Sequence, residues 1–252
     1  MSGRAGGRKA FITGASGGLG RGIAKLFLDE GAQVALADVH GAEEARRALG
    51  GGGASMAVQL DVRDPASVEA AVSEAWDVFG GLDILVNCAG VYPSDLIVDM
   101  TTEAWDNVID TNLKGPFLCS RVMVSRWIDQ GIKGHIVNIT SGAAHYCTSK
   151  AALEMLTRAF ALEMAPHHIH VNAVSPGFFD VSSSVNEISR EYKDALVRTI
   201  PWGEGGKPSD IAEAVLFLCS DAAAYISGTS LRVDGAYSTG TNALPVSRPD
   251  RS

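Results

Sequence analysis

A serine, a tyrosine and a lysine lie close together in the stretch "ITSGAAHYCTSKA" at 139–151. Tyr146 and Lys150 are four residues apart, so in a helix their side chains share one face. A tyrosine phenol has a pKa of about 10 in water, and a neighbouring ammonium group lowers it. Ser141 ends the preceding apolar run and can donate a hydrogen bond to a substrate oxygen. Together these residue types can move a proton at an alcohol or carbonyl oxygen.

Seven short apolar runs, which alternate with helical patterns, form the framework for these residues. Continuous apolar runs are typical of strands buried on both faces of a parallel sheet. The strands are predicted at 9–13, 32–38, 55–62, 82–89, 134–140, 169–175 and 230–235, and the helices at 19–29, 64–81, 101–130, 146–165 and 208–221. This order predicts an α/β fold, a single-domain Rossmann-type doubly wound sheet of seven parallel strands flanked by helices. Residues 1–8 and 241–252 are predicted to be loose termini.

Local signals refine three of the predicted helices. The helix at 64–81 begins with Asp64 as a plausible N-cap, has Pro65 at its first helical position and ends at Gly80–Gly81. The long helix at 101–130 is expected to bend near Gly115–Pro116. Ser209 or Asp210 is expected to cap the last helix.

The first predicted strand leads into a glycine-rich segment, "TGASGGLG" at 13–20, and then into a helix. Gly14 permits a tight turn, Gly18 allows backbone to approach a pyrophosphate, and Gly20 allows the helix to pack closely on the sheet. The amino end of the helix offers N–H groups to phosphate. Because the segment lies in the first βα unit, it predicts a dinucleotide site.

Asp38 ends the second predicted strand and sets the expected cofactor. Its carboxylate can accept hydrogen bonds from adenosine ribose hydroxyls and would repel a 2′-phosphate. The residues that follow are Val39, His40 and Gly41, none of them Arg or Lys. The sequence therefore predicts NAD rather than NADP. Asp38 could alternatively cap the helix that follows it.

Composition excludes some partners and suggests a compartment. The formal charge of −8 and the pI of about 5.2 argue against nucleic-acid binding. The chain has four cysteines without a CxxC pair, no recognisable signal peptide and no apolar run long enough to span a membrane. We expect a cytoplasmic protein without membrane contact, and no residue set predicts a metal site.

The chain resembles the short-chain dehydrogenase/reductase family over nearly its whole length. The matching segments are "TGASGGLG" (13–20), Asp38, "LDV" (60–62), "NCAG" (87–90), "TNLKG" (111–115), "IVNITS" (136–141), "YCTSK" (146–150), "NAVSPG" (172–177) and "RVDGA" (232–236). Several such motifs in the family's order are highly specific.

The resemblance implies roles for individual residues. Tyr146 would be the general acid/base, Lys150 would lower its pKa and hold the nicotinamide ribose, Ser141 would orient the substrate oxygen, and Asn112 would hold a relay water. The cofactor site would comprise Gly14, Ser16, Gly18, Leu19, Gly20, Asp38, Asp61, Val62, Asn87, Ala89, Gly90, Tyr146, Lys150, Pro176, Gly177 and Phe179. The resemblance also implies a homo-oligomer, with a tetramer favoured over a dimer, in which the helices carrying Asn112 and Tyr146 pack between subunits.

Three departures from the family pattern stand out. Cys88 replaces a common second asparagine, and Val181 stands where a threonine often contacts the carboxamide, with Ser182 as an imperfect substitute. Only "GAAH" separates Ser141 from Tyr146, whereas the family usually has roughly a dozen residues there. The gap leaves three alternatives: an enzyme with a more open pocket, a chain that binds NAD without efficient catalysis, or a sequence from which part of this loop was removed.

These observations predict an NAD-dependent oxidoreductase that transfers a hydride between NAD(H) and a small-molecule secondary alcohol or ketone. Sugars, polyols and 3-oxoacyl thioesters are all compatible with the sequence. A catalytically impaired NAD-binding scaffold or sensor is the alternative function. A lyase or epimerase that keeps the cofactor site is a third.

Overall fold

A computed structural model describes residues 3–92, 96–141, 147–179 and 189–239, except for the side chains of Cys147 and Tyr192. The strands are β1 (Lys9–Thr13), β2 (Gln33–Asp38), β3 (Ser55–Gln59), β4 (Ile84–Asn87), β5 (His135–Ile139), β6 (His170–Pro176) and β7 (Ser230–Val233). The helices are α1 (Gly18–Asp29), α2 (Ala42–Leu49), α3 (Pro65–Phe79), α4 (Thr102–Ile109), α5 (Gly115–Gln130), α6 (Cys147–Met164), α7 (Arg190–Thr199) and α8 (Pro208–Leu218).

All seven strands form one parallel sheet in the order β3-β2-β1-β4-β5-β6-β7, which confirms the predicted fold. Apolar clusters cover both faces, one with α3 and α5 and the other with α1 and α8. The direction of strand order reverses between β1 and β4. In open α/β sheets, ligands bind in the crevice at the carboxyl ends of the strands at such a point.

Local signals placed some helix boundaries correctly and others wrongly. Asp64 caps α3 by accepting a hydrogen bond from the Ala66 N–H, and Gly80 ends the helix, as predicted. The predicted cap of α8 is wrong, because Lys207 is the N-cap residue. Asp210 is the third helical residue, and its carboxylate accepts from the Lys207 N–H at 2.8 Å. Pro208 at the first helical position starts the helix before either predicted cap residue.

The predicted helix at 101–130 consists of three helical segments. Between α4 and α5, residues Asp110–Lys114 form a π-helical turn, directly before the predicted bend at Gly115–Pro116. A π-helical turn inserts an extra residue and rotates the side chains that follow, and such turns are frequent at functional sites.

The third predicted strand is longer than the observed one, since β3 ends at Gln59 and residues 60–62 lie beyond it.

Two histidine rings stack at the amino edge of the sheet, opposite the crevice. His135 and His170 are register partners on β5 and β6, with ring centroids 4.8 Å apart. His135 is only 6% exposed, and the Nδ1 atoms of both rings lack a hydrogen-bond partner among the described residues. Burial, followed by the charges of His170 and Arg8, lowers the pKa of His135 from 6.5 to about 4, although a hydrogen bond with the Leu218 backbone and the charge of Asp221 act in the opposite direction.

We expect the low pKa of His135 to make the folded protein less stable in acid. Because the folded-state pKa of His135 is lowered, the unfolded chain binds the proton first as pH falls below about 6.5. The stabilising contribution is therefore complete above pH 6.5 and is lost as pH falls towards 4, by up to about 3 kcal/mol. Urea unfolding across this range should show a shallower pH dependence in His135→Phe than in wild type. The exposed His167→Phe is the control, and equal slopes in all three proteins would contradict the prediction.

Among the residues that the structure describes, no helix is both long enough and apolar enough to cross a membrane.

Candidate active site

The glycine-rich segment forms a tight turn at the carboxyl end of β1. Gly14 has a φ of +66°, and a Cβ atom there would lie 2.7 Å from the backbone of Ala89, which follows β4. A Cβ atom at Gly20 would overlap the carbonyl oxygen of Gly14. Gly20 thus allows α1 to pack against the turn itself. The prediction for Gly14 fits this geometry, and Gly18 and Leu19 form the start of α1.

Asp38 lies beside this turn, where it was predicted. Its Oδ2 atom accepts hydrogen bonds from the Ser16 N–H at 3.0 Å and the Ser16 hydroxyl at 2.6 Å. Its Oδ1 atom accepts a longer bond from the His40 N–H at 3.4 Å. The alternative role as a helix cap is wrong, because Gly41 is the N-cap residue of α2 and that end has no side-chain cap.

Asp61 and Val62 follow β3, and the family resemblance implies that they lie beside the adenine. The Asp61 carboxylate pairs with Arg63 at 2.7 Å, and this hydrogen bonding lowers the pKa of Asp61. The Asp61 N–H donates to the Ser67 hydroxyl. Val62 is buried, and a Cβ atom at Gly115 would lie 2.8 Å from its side chain. The carboxylate and the N–H group of Asp61 therefore already have hydrogen-bond partners within the chain. Contact between Asp61 and the adenine stays a prediction.

Asn87 at the end of β4 is buried in a polar network beneath the crevice. Its amide donates to the Asn138 side chain at 2.8 Å and to the Ser120 hydroxyl at 3.2 Å. Asn138 in turn donates to Thr157 on α6 at 2.9 Å. Asn87 thus links the central strand to α5 and, through Asn138, to α6, and this fits the strand-stabilising role that the family resemblance implies for Asn87.

Asn112 is fully buried in the π-helical turn. Its side chain accepts from the Val91 N–H and donates to the Val91 carbonyl, both at 2.8 Å, and it also donates to the Ser149 hydroxyl at 3.2 Å. These bonds fix the chain that follows β4 and the residue next to Lys150. Because the amide is used in this way, its family role as the holder of a relay water stays a prediction.

Lys150 brings an ammonium group to the same place. It is 7% exposed, and its Nζ atom donates to the Ile139 carbonyl at 2.8 Å. Burial lowers the pKa of Lys150 to about 8, so the ammonium form still dominates at neutral pH. A Cβ atom at Gly90 would lie 3.3 Å from the Asn112 Oδ1 and 3.4 Å from the Lys150 Nζ. The structure thus brings the predicted Asn112 and Lys150 together around Gly90.

Ser141 lies on the same edge, directly after β5. The preceding Thr140 donates its N–H to the Val174 carbonyl at 2.9 Å, which fixes the strand end from which Ser141 extends. Tyr146 and the "GAAH" segment lie outside the described residues. Their predicted roles, and the effect of the short gap, therefore stay predictions. Lys150 lies on the first turn of α6, which starts at Cys147.

A model of the family described as enoyl-(acyl carrier protein) reductase matches residues 14–238. A 3-oxoacyl-(acyl-carrier-protein) reductase of Staphylococcus aureus is 39% identical over 240 residues, covering 90% of this chain and 97% of the relative. A short-chain type dehydrogenase/reductase of Mycobacterium marinum has a TM-score of 0.87 and 35% identity, covering 94% and 97% of the two chains. The chain belongs to the short-chain dehydrogenase/reductase family.

Two further similar proteins act on different substrates. An NAD-dependent glycerol dehydrogenase of Listeria innocua is 35% identical over 236 residues, covering 90% of this chain and 92% of the relative. A 3-ketoacyl-(acyl-carrier-protein) reductase of Brucella melitensis, solved with NADH, has a TM-score of 0.84 and 32% identity, covering 93% and 99% of the two chains. The chain is thus an oxidoreductase of a family that uses a nicotinamide cofactor on alcohols and ketones.

The last of the predicted cofactor-binding residues, Pro176, Gly177 and Phe179, lie at the end of β6 or just after it. The Gly177 N–H donates to the Val233 carbonyl at 3.0 Å, and a Cβ atom at Gly177 would lie 2.7 Å from Asp234. Pro176 ends β6, and Phe179 pairs with Gly206 in an isolated bridge. This segment is therefore held against the end of β7 and the approach to α8. Val181 and Ser182 lie outside the described residues.

Sequence reasoning missed the role of Thr13. Its hydroxyl oxygen accepts hydrogen bonds from the N–H groups of Cys88 and Ala89, both at 3.1 Å. Thr13 thereby joins the ends of β1 and β4 at the point where strand order reverses. The only signal in the sequence was the position of Thr13 at the end of an apolar strand. That signal could not identify its partners, because they lie 75 and 76 residues further along the chain.

The site fits a nicotinamide dinucleotide. The glycines keep the floor of the crevice free of side chains, and α1 begins without a side-chain cap, so N–H groups of its first turn can bind phosphate. Asp38 would supply an acceptor for ribose hydroxyls at one end, and Lys150 would supply a donor at the other. When bound, the nicotinamide would accept or donate a hydride at the substrate carbon.

Proposed function

We propose that this chain is an NAD-dependent dehydrogenase that interconverts a secondary alcohol and a ketone. The observation that carries the proposal is the buried Lys150 ammonium, placed beside Asn112 and Gly90 in the crevice and four residues after Tyr146 in the sequence. Asp38 at the end of β2 supports NAD as the cofactor. The NAD-dependent glycerol dehydrogenase of Listeria and the Brucella reductase, solved with NADH, also support this cofactor.

The chain's own residues would manage the proton. In the oxidation direction, Tyr146 as phenolate would take the hydroxyl proton of the alcohol while the carbon gives up its hydride. The Lys150 ammonium would stabilise the phenolate and hold the ribose, and Ser141 would donate a hydrogen bond to the substrate oxygen. Asn112 would keep Lys150 in place through its bonds to Val91 and Ser149.

An absorbance assay tests this function. Purified protein, NAD and a panel of secondary alcohols, including polyols and 3-hydroxyacyl thioesters, should form NADH. Tyr146→Phe should lower kcat by at least about a hundredfold, because it removes the group that accepts the proton. Turnover that survives Tyr146→Phe would contradict the proposed chemistry.

The short gap between Ser141 and Tyr146 supports a second candidate, an NAD-binding scaffold or sensor without efficient catalysis. With only four residues between them, the two side chains must meet through a tight turn. Calorimetric binding of NAD without turnover on any substrate of the panel would favour this candidate. Turnover with several substrates would exclude it.

We also propose that the chain forms a homo-oligomer, a tetramer rather than a dimer, through α5 and α6. An apolar groove of about 550 Å³ lies between α6 and the stretch from the end of α4 through the π-helical turn to the first turn of α5, and it is lined by Ile109, Leu113, Lys114, Phe117, Ala152, Met155, Leu156 and Ala159. An exposed apolar surface of this kind is typical of a protein interface. A second copy of the chain is the occupant that the family resemblance implies.

Charge placed in this groove should disrupt assembly. Met155 is 61% exposed on α6, and Val78, on α3 outside the groove, is 62% exposed. We expect Met155→Asp to shift the mass in light scattering towards the monomer, because its carboxylate would be desolvated at the interface. Val78→Asp adds the same charge at equal exposure and should leave the mass unchanged. An unchanged mass in both variants would argue against this interface.

A further inference from the structure

One face of α6 is fixed to β5 by polar side chains. Lys150, Glu154 and Thr157 lie on successive turns of this helix, so their side chains share a face. The Lys150 ammonium donates to the Ile139 carbonyl at 2.8 Å. The Thr157 hydroxyl accepts from the Asn138 amide at 2.9 Å. The helix is therefore bonded to two consecutive residues of the strand, and Glu154 lies between these two contacts along α6.

Glu154 adds a third contact, just beyond the end of β5. Its Oε1 atom accepts a hydrogen bond from the Ser230 hydroxyl of β7 at 2.9 Å and a longer one from the Thr140 hydroxyl at 3.4 Å. Thr140 is buried, and its N–H donates to the Val174 carbonyl of β6 at 2.9 Å. One carboxylate oxygen thus ties α6 to β7 and to the end of β5, although β6 lies between these two strands.

The side-chain chemistry at position 154 favours a role in orientation over a role in packing. Glu154 is half-buried, and withdrawing a carboxylate from water is unfavourable unless hydrogen bonds compensate. An apolar side chain would pack the helix without this cost. An ionised carboxylate only accepts hydrogen bonds, so the Ser230 hydroxyl must turn its hydrogen towards Glu154. The contact is therefore directional.

These bonds bear on the position of Ser141, which directly follows Thr140. Lys150 and Glu154 hold the two residues that precede Ser141. A shift of α6 along the strand would move the Lys150 ammonium relative to Ser141, and directional bonds oppose such a shift. Only four residues connect Ser141 to Tyr146 in the sequence, so this connection can absorb little displacement of the helix.

We propose that Glu154 is a positioning residue for the reaction, which fixes α6 to the end of β5 and so sets the distance between Lys150 and Ser141. It acts through Thr140 and Ser230 rather than on the reacting atoms. This inference rests on the proposed function and deepens it, because it names a residue outside the catalytic and cofactor-binding sets on which turnover depends.

Initial rates of NADH formation test the inference, with NAD and the secondary alcohol of the panel that wild type oxidises fastest. We expect Glu154→Ala to lower kcat at least about tenfold, because a small misplacement of reacting groups strongly slows the chemical step. Glutamine keeps an oxygen acceptor at the same reach, so Glu154→Gln should stay within about threefold of wild type. Glu163 is exposed further along α6, so Glu163→Ala controls for the loss of a carboxylate and should keep wild-type kcat.

Two further measurements separate positioning from a general loss of stability. The dissociation constant of NADH, measured by nicotinamide fluorescence, should stay within about twofold of wild type in Glu154→Ala, because the amino end of α1 is untouched. Ser230→Ala removes the donor at 2.9 Å and should lower kcat by about fivefold. In the Glu154→Ala protein the same change should cause no further loss, because the two residues act through one bond.

The outcomes separate the inference from the proposed function. Lower kcat in Glu154→Ala and Ser230→Ala, with NADH affinity and the Glu163→Ala control unchanged, supports the inference. A folded Glu154→Ala protein with wild-type kcat, or a Glu154→Gln protein as impaired as Glu154→Ala, overturns it and leaves the proposed function intact. If Glu154→Ala does not fold, Ser230→Ala decides, since wild-type kcat in that variant overturns the inference and a lower kcat supports it. A wild type without turnover on any alcohol of the panel overturns the proposed function and this inference with it.

Discussion

Replacing Lys150 with methionine should lower kcat by at least about a hundredfold, the range expected when support of a general acid/base is lost. Methionine keeps most of the buried aliphatic volume and removes the ammonium. Without the ammonium, the Tyr146 phenol would lose the charge that favours its ionised form, so less phenolate would be present at neutral pH. Initial rates of NADH formation at saturating NAD and alcohol measure the effect.

Two controls separate this chemical effect from damage to the fold. Lys133→Met changes an exposed lysine at the end of the α5–β5 connection and should keep wild-type kcat. Lys150→Met leaves the Ile139 carbonyl without its donor, so thermal melting must show that the variant is folded. A folded Lys150→Met protein whose kcat falls less than tenfold would show that Lys150 does not support catalysis.

Replacing Gly20 with alanine should destabilise the protein by about 3 kcal/mol, the upper range for an overpacked site. Two effects oppose each other at this position, helix propensity and steric overlap. Helix propensity favours alanine over glycine by about 1 kcal/mol. At Gly20, however, the new Cβ would overlap the Gly14 carbonyl oxygen and lie 3.0 Å from the Ala15 Cα. These are backbone atoms, so the turn or α1 must move and the steric effect prevails.

The matched control for this change is Gly53→Ala. A Cβ at Gly53 meets no atom within 4 Å, so stability should change by at most about 0.5 kcal/mol. Urea unfolding measures both variants. Because the turn positions the amino end of α1, NADH affinity should also fall at least about tenfold in Gly20→Ala. Stability and affinity equal to wild type would show that the turn adapts without cost.

The sequence determined the features that depend on neighbouring residues. Continuous apolar runs predicted seven parallel strands because both faces of such strands are buried. The sequence also predicted the turn at Gly14, the cap at Asp64 and the carboxylate of Asp38 at a strand end, because each belongs to a local segment of strand, turn or helix. The four-residue spacing of Tyr146 and Lys150 is local in the same way, and their shared helix face stays a prediction because Tyr146 lies outside the described residues.

Only the tertiary structure decided what these residues contact. Lys150 is buried and bonded to the Ile139 carbonyl, and Thr13 joins β1 to β4. Such contacts depend on strand order, helix docking and an irregular turn such as the π-helical turn around Asn112. No periodicity in the sequence records these features, because they arise when segments distant along the chain pack against one another.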